Sequence, residues 1–187
     1  MEKFIKYCNV LTELTQAATA DLQQKLMTTS IPKGQYLLKD GNTCRHLFFI
    51  NQGLAKTFFF KEDKEFIMRF FTEYTLFTVV DSFENQQPSA YAVVALENTT
   101  YTTLSYSDLQ ILCQRHHCIE TFFSKLLAKA ATHMMQRITE MLENNPAERY
   151  ARFAMNNPAL LQRITLGDLA SYLGITQVSL SRIRARK

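Results

Sequence analysis

The chemistry with the clearest address in this sequence is polyanion binding. The stretch ASYLGITQVSLSRIRARK, residues 170–187, places Arg182, Arg184, Arg186 and Lys187 within its last six positions. Residues 149–187 hold seven Lys and Arg against a single acid, Asp168, whereas residues 1–148 hold 14 basic and 16 acidic side chains. Guanidinium groups gathered at one end of an otherwise slightly acidic chain suit phosphate contacts. A solvated tail is the bland alternative, and the spacing of the apolar residues decides between the two.

That spacing is the spacing of a helix-turn-helix. In TLGDLASYLGITQVSLSRIR, residues 165–184, Thr165 is placed to cap a first helix whose inner face is Leu166, Leu169, Ala170 and Leu173. Ala170 supplies the small residue needed where the helices cross, and Gly174, four positions later, lets the chain reverse. Ile175 packs beneath the turn, Thr176 caps the second helix, and Leu180 and Ile183 point inward. Thr176, Gln177, Val178, Ser179, Ser181, Arg182, Arg184 and Arg186 are then the expected DNA contacts. Residues near the start of such a helix meet base edges, and flanking arginines meet phosphates. A helical hairpin that merely closes the protein leaves the excess of positive charge unexplained.

Other chemistries find little support. The cysteines, Cys8, Cys44, Cys113 and Cys118, are scattered without a CxxC pair. Cys113, His116, His117 and Cys118 are crowded, but neighbouring residues of this kind cannot all face one ion, so packing is the expected role and no metal is assigned. Only His46 falls in the strand-rich region, too few for a metal-binding cupin, and neither His46 nor His133 has positive support as a haem ligand. There is no nucleophile–base spacing, no glycine-rich phosphate loop and no usefully paired carboxylates, so no enzyme and no cofactor are expected.

The elements that must position the basic segment fall into three regions. Residues 1–30 read as helical, with Leu11, Leu14, Ala18, Leu22 and Leu26 at three- and four-residue intervals until Pro32 and Gly34. Residues 35–105 hold short runs rich in Phe, Tyr, Val and Thr, among them HLFFINQG, LAKTFFF, EFIMRFF and AYAVVALE, with Gly34, Gly41 and Gly53 at turns. Such runs favour an antiparallel barrel or jelly roll. LFTVVDSFENQQPS interrupts them as a polar, turn-prone insert.

Beyond the strands, Ser107 is the expected cap of a short helix. A helix of more than twenty residues without Gly or Pro then carries Phe122, Phe123, Leu126, Ala130, Met134, Ile138 and Met141 on one stripe. That stripe either covers its own barrel or faces an identical helix, and the length favours a homodimer through these residues. Asn144-Asn145-Pro146 ends it. The fold class expected is α+β, with a roll domain and N-terminal helix over 1–117, a dimerisation helix over 118–145 and a DNA-binding domain over 146–187.

Composition agrees with an ordinary globular protein: 187 residues, 47% hydrophobic, 20% charged. No run approaches the roughly 18 apolar residues that cross a bilayer. MEKFIKYCNV lacks a signal-peptide apolar core, so no membrane partner and a reducing cytoplasmic location are expected.

In its order of parts the chain resembles the Crp/Fnr family of bacterial transcription regulators, in its short Bacteroidetes-like form. IPKGQYLLKDGNTCRHLFFINQGLAKTFFF resembles the early β-roll, SYSDLQILCQRH the helix after it, and TLGDLASYLGITQVSLSRIR, with its Ser181-Arg182 pair, the helix-turn-helix. The resemblance implies a homodimer reading an inverted-repeat DNA site, RNA polymerase as a further partner, and a small-molecule effector in the roll. Cyclic-AMP binders of the family hold the phosphate with a Gly-Glu pair and an arginine before Ser-Ala or Thr-Ala. Here Phe77-Thr78 and Pro88 stand at those places, while Ser89 and Ala90 remain. The effector pocket expected from Thr78, Ser89, Ala90 and Arg69 therefore takes another ligand, or none. Many relatives carry glutamate where this chain has Val178, which implies a changed base preference. The alternative function is a ligand-binding or interaction module without specific DNA binding.

Overall fold

The computed structural model describes residues 1–185. The first thirty residues form two helices and a strand rather than one helical run. Helices α1 (Glu2–Leu11) and α2 (Gln16–Lys25) are separated because Thr15 leaves the helical conformation and its side chain accepts from the Ala18 amide. Leu14 continues the leucine spacing, but its amide takes the Asn9 Oδ1 at 2.8 Å instead of a helical carbonyl. Strand β1 (Met27–Ile31) follows, where β-branched Thr28 and Thr29 win over a pattern that had run through Leu26.

Two four-stranded antiparallel sheets make the roll. The first has the order β1-β8-β3-β6, with β3 at His46–Gln52, β6 at Leu76–Phe77 and β8 at Thr99–Ser105. The second has the order β2-β7-β4-β5, with β2 at Tyr36–Leu38, β4 at Ala55–Lys61, β5 at Lys64–Phe71 and β7 at Ala92–Ala95. Between them lies an aromatic core in which the rings of Phe71 and Phe77 stack at 3.6 Å and Phe77 meets Phe48 at 5.5 Å. The polar insert contains β6 and a short helix, α3 (Val80–Asn85).

Helix α4 (Tyr106–Arg115) is capped by Ser105, not by Ser107. The Ser105 Oγ accepts the Asp108 amide at 3.1 Å, and Ser107 already lies inside the first turn.

Helix α5 (His117–Glu143) has 27 residues and so spans about 40 Å. Its first half buries Ile119, Phe122, Phe123 and Leu126 in the same core as Phe4, Phe49 and Phe83. This corrects the expectation that Phe122, Phe123 and Leu126 face a second subunit: the chain's own roll and N-terminal helix take them, because the stripe begins where α5 still lies over the barrel. The second half leaves that cover. Ala130 is half-exposed, and Met134, Ile138 and Met141 are exposed together with Met135 and Leu142.

The remaining residues form α6 (Pro146–Asn156), α7 (Pro158–Leu161), α8 (Leu166–Leu173) and α9 (Gln177–Ala185). Asn145 closes a reciprocal capping box with Glu148, which starts α6 sharply after α5 ends. These helices do not form a separate globule. Tyr150, Phe153, Leu160, Leu169, Leu173 and Leu180 share one hydrophobic cluster with Leu54, Phe58, Ile67, Phe70 and Val94 on the outer face of the second sheet. That sheet is therefore covered on both faces, which accounts for strands such as EFIMRFF being apolar on successive residues.

Candidate nucleic-acid interface

The candidate interface is built from α8, its turn and α9. Thr165 caps α8 through a capping box: its Oγ1 accepts the Asp168 amide at 3.0 Å, and Asp168 Oδ2 accepts the Thr165 hydroxyl at 2.6 Å. Leu169, Ala170 and Leu173 are buried. Gly174 adopts φ +69° as the C-cap, a conformation that disfavours a side chain. The Ile175 amide then reaches back to the Ala170 carbonyl at 3.0 Å, which fixes the angle between the two helices. Thr176 Oγ1 accepts the Ser179 amide at 3.1 Å, and Leu180 anchors α9 from below with no exposed surface.

Anchored this way, α9 presents Gln177, Val178, Ser179, Ser181, Arg182 and Arg184 to solvent, with Thr176 at its start. Val178 is 60% exposed, a β-branched apolar side chain with nothing over it. Among the described residues neither Arg182 nor Arg184 has an ion-pair or hydrogen-bond partner. Arg186 lies outside the described residues.

Among the described residues, the other basic side chains of the C-terminal segment are already engaged. Arg149 donates to the carbonyls of Leu173 and Asn144, Arg152 stands 3.9 Å from Glu140, and Arg163 is held by Glu73 and Glu97. The segment's one acid is also withdrawn, with Asp168 Oδ1 taking the Lys56 ammonium at 2.8 Å. Burial works to raise the Asp168 pKa, but the bonds from Lys56 and Thr165 outweigh it and hold the carboxyl below its ordinary value. Gly167 was not singled out by sequence. A Cβ there would stand 2.9 Å from the Gln177 Nε2, so the bare backbone at the start of α8 makes room for the first side chain of α9.

The four residues expected to line an effector pocket make their hydrogen bonds with other residues rather than with one another. Thr78 Oγ1 donates to the His46 carbonyl at 2.9 Å and lies 3.3 Å from the Cys44 sulfur. Ser89 is buried and closes on Tyr91, donating to its carbonyl at 2.8 Å and accepting its amide at 2.9 Å. Ala90 is exposed. Arg69, on β5, is half-buried over the Phe71 ring, with Tyr7, Tyr172 and His133 among its electrostatic neighbours. No hydrogen bond or ion pair among the described residues links it to Thr78, Ser89 or Ala90. The crowded histidines also part company: His116 pairs with Asp21 at 2.8 Å, while His117 is exposed beside Glu120. Burial, with the charges of Arg69 and Lys129, holds His133 below its ordinary pKa.

Residues 28–116 match the cyclic nucleotide-binding domain family. The chain is similar to the fumarate and nitrate reduction regulatory protein of Vibrio cholerae, 26% identical over 167 residues, which covers 83% of this chain and 66% of that protein. It thus spans just under two thirds of that relative's length. Among solved structures, FixK2 from Bradyrhizobium japonicum has the same fold with a TM-score of 0.75 at 15% identity, covering 86% of this chain and 83% of that one. A Eubacterium rectale protein assigned to the Crp/Fnr family of transcriptional regulators gives 0.74 at 16% identity, covering 91% and 82%. From the roll through the long helix to the helix-turn-helix, the chain thus has the fold of these solved structures, and within it residues 28–116 match a cyclic nucleotide-binding domain.

Proposed function

We propose that this protein is a homodimeric, DNA-binding transcription regulator that reads an inverted repeat. The observation that carries the reading is α9: its inner face is locked by Leu180, while Gln177, Val178, Ser179, Ser181, Arg182 and Arg184 stand open together. A helix exposed this way fits the major groove, with the side chains of its first turns on base edges and its arginines on phosphates or guanines. Two copies related by a dyad would place two such helices one DNA turn apart.

The dimer contact falls on the distal half of α5, where Met134, Ile138 and Met141 continue the stripe after the roll has ended, flanked by Met135 and by Leu142 at 81% exposure. So many large apolar side chains in succession on one exposed helix mark an association surface. Functionally the chain divides into a sensor roll over 1–117, a pairing helix over 118–145 and a reading head over 146–187. The roll senses a small ligand other than cyclic AMP, since Pro88 stands where an arginine would neutralise the phosphate. Work in the cytoplasm, with RNA polymerase as a partner and no catalytic step, completes the reading.

The test is selection of duplexes from a random pool by the full chain, followed by mobility shifts at rising salt. An inverted repeat bound by a dimer, with affinity falling steeply as salt rises, is the expected result. Binding that shows no sequence preference would leave only the interaction-module reading.

A further inference from the structure

Arg163 lies two residues before the N-cap of α8, yet its guanidinium is held entirely by the roll. Its Nη1 and Nη2 donate to the two carboxylate oxygens of Glu73, both at 2.8 Å. Its Nε and Nη2 donate to Glu97 at 2.9 and 2.8 Å. The two acids belong to different turns, Glu73 between β5 and β6 and Glu97 between β7 and β8. A third turn joins them, because the Gly53 amide, between β3 and β4, donates to Glu73 Oε1 at 2.9 Å. That turn has no slack: a Cβ on Gly53 would stand 2.6 Å from Thr99 Oγ1 and 2.8 Å from the Asn98 carbonyl.

A second anchor lies five residues on. Asp168 holds Thr165 with one oxygen and Lys56 of β4 with the other, and Ser171 both donates to the Glu65 carbonyl and accepts the Ile67 amide. The start of α8 is therefore tied at two points to the roll, with a capping box and no hinge between them. Paired guanidinium–carboxylate contacts are planar and tolerate little sliding. Through Gly174 and the Ile175–Ala170 hydrogen bond, whatever turns α8 also turns α9.

We propose that the cage of Glu73 and Glu97 around Arg163 is a direct relay from the roll to the reading head. It passes displacements of three roll turns to the start of α8 without using α5, and holds the head in a pose that leaves α9 open. The pose is a binding-ready one, because the roll covers Leu169, Ala170 and Leu173 but leaves Gln177, Val178 and Arg182 uncovered. The DNA-affinity consequence rests on the proposed function; the mechanical coupling does not.

Hydrogen exchange on the full chain, without DNA, measures the coupling. In Arg163→Ala and in Arg163→Lys, which keeps the charge but not the paired geometry, amides of α8 and α9 should exchange about tenfold faster than in wild type, while β3 and β8 stay protected. On a duplex selected by wild type, Arg163→Ala should bind about tenfold more weakly, since the head must then be ordered on binding. Should Arg163→Ala fail to fold, Glu97→Gln gives the same comparison with one arm of the cage weakened. Head amides that exchange at the wild-type rate in all variants overturn the relay, and tighter DNA binding overturns the binding-ready pose. A wild type that selects no duplex would sink the DNA reading and leave the exchange result standing.

Discussion

Arg163 and Arg182 lie nineteen positions apart in the same basic segment, and their surroundings are opposite. Arg163 sits in a cage of two carboxylates, whereas Arg182 and Arg184 have no such partner among the described residues. The contrast teaches that a charge count locates a polyanion-binding end without saying which charges face the polyanion. Arg149 bonds within the head and to the end of α5, Arg152 faces Glu140 of α5, and Arg163 ties the head to the roll, so among the described residues the unpaired positive charge of this segment is concentrated on α9. The two halves of α5 repeat the lesson for apolar residues, since one continuous stripe contains both core and surface.

Removing the free arginines should give the largest effect. Arg182→Ala with Arg184→Ala should cost about 2–6 kcal/mol of DNA binding, if the two losses add, and lower the salt slope by about two. Thermal unfolding should stay at the wild-type value; a double variant that binds as wild type does would move the interface off α9.

The contrast within α5 is sharpened by Leu126→Ala against Ile138→Asp. Leu126→Ala should destabilise the chain by about 2–5 kcal/mol, as buried leucines do. Ile138→Asp should change the stability of a single chain by less than about 0.5 kcal/mol but shift sedimentation toward monomer. A dimer that persists unchanged at micromolar concentration places the pairing surface elsewhere.

The caged arginine also predicts a pH signature. Its hydrogen bonds bring the Glu73 carboxyl down to about 2 from an ordinary 4.5, against the opposing effect of burial, and lower that of Glu97, which Lys33 also influences. A lowered folded-state pKa gives stabilisation that is complete above the unfolded value and lost as pH falls through the folded one. Between pH 5 and pH 2, wild type should therefore lose more stability than Arg163→Ala, the two melting curves converging in acid. Parallel curves would mean that the cage contributes nothing to folding.

The smallest effect is one of preference. Val178→Glu should move selected sites from thymine toward cytosine at one position of each half-site, by about 1–3 kcal/mol of discrimination. An unchanged consensus sequence would show that position 178 does not touch a base.

Much of this was legible in the sequence where the signal is local. Thr165, Ala170, Gly174, Thr176 and Leu180 specify two helices and their turn within sixteen residues, and the structure folds them as that pattern predicts. Where two local signals compete, the reading failed: leucine spacing hid β1, and Ser107 concealed the better-placed cap Ser105. The docking of the head on the roll was invisible for another reason. Glu73 lies 90 residues from Arg163 and Glu97 lies 66, and nothing in either acid's neighbours announces a distant arginine. Phe58 and Phe70 did carry a hint, since strands apolar on both faces need two covers.

The shared hydrophobic cluster bears on how such a protein can be recombined. A chimera that joins this roll to a relative's reading head at residue 146 would cut through one core, leaving Leu54, Phe58, Ile67 and Phe70 against side chains that never packed with them. The unit that can be exchanged intact is the head together with the outer face of its sheet, two stretches that lie far apart in the gene. Grafting a new DNA preference is thus cheaper through exposed side chains of α9 such as Val178, Ser181 and Arg182, whose replacement disturbs no shared core.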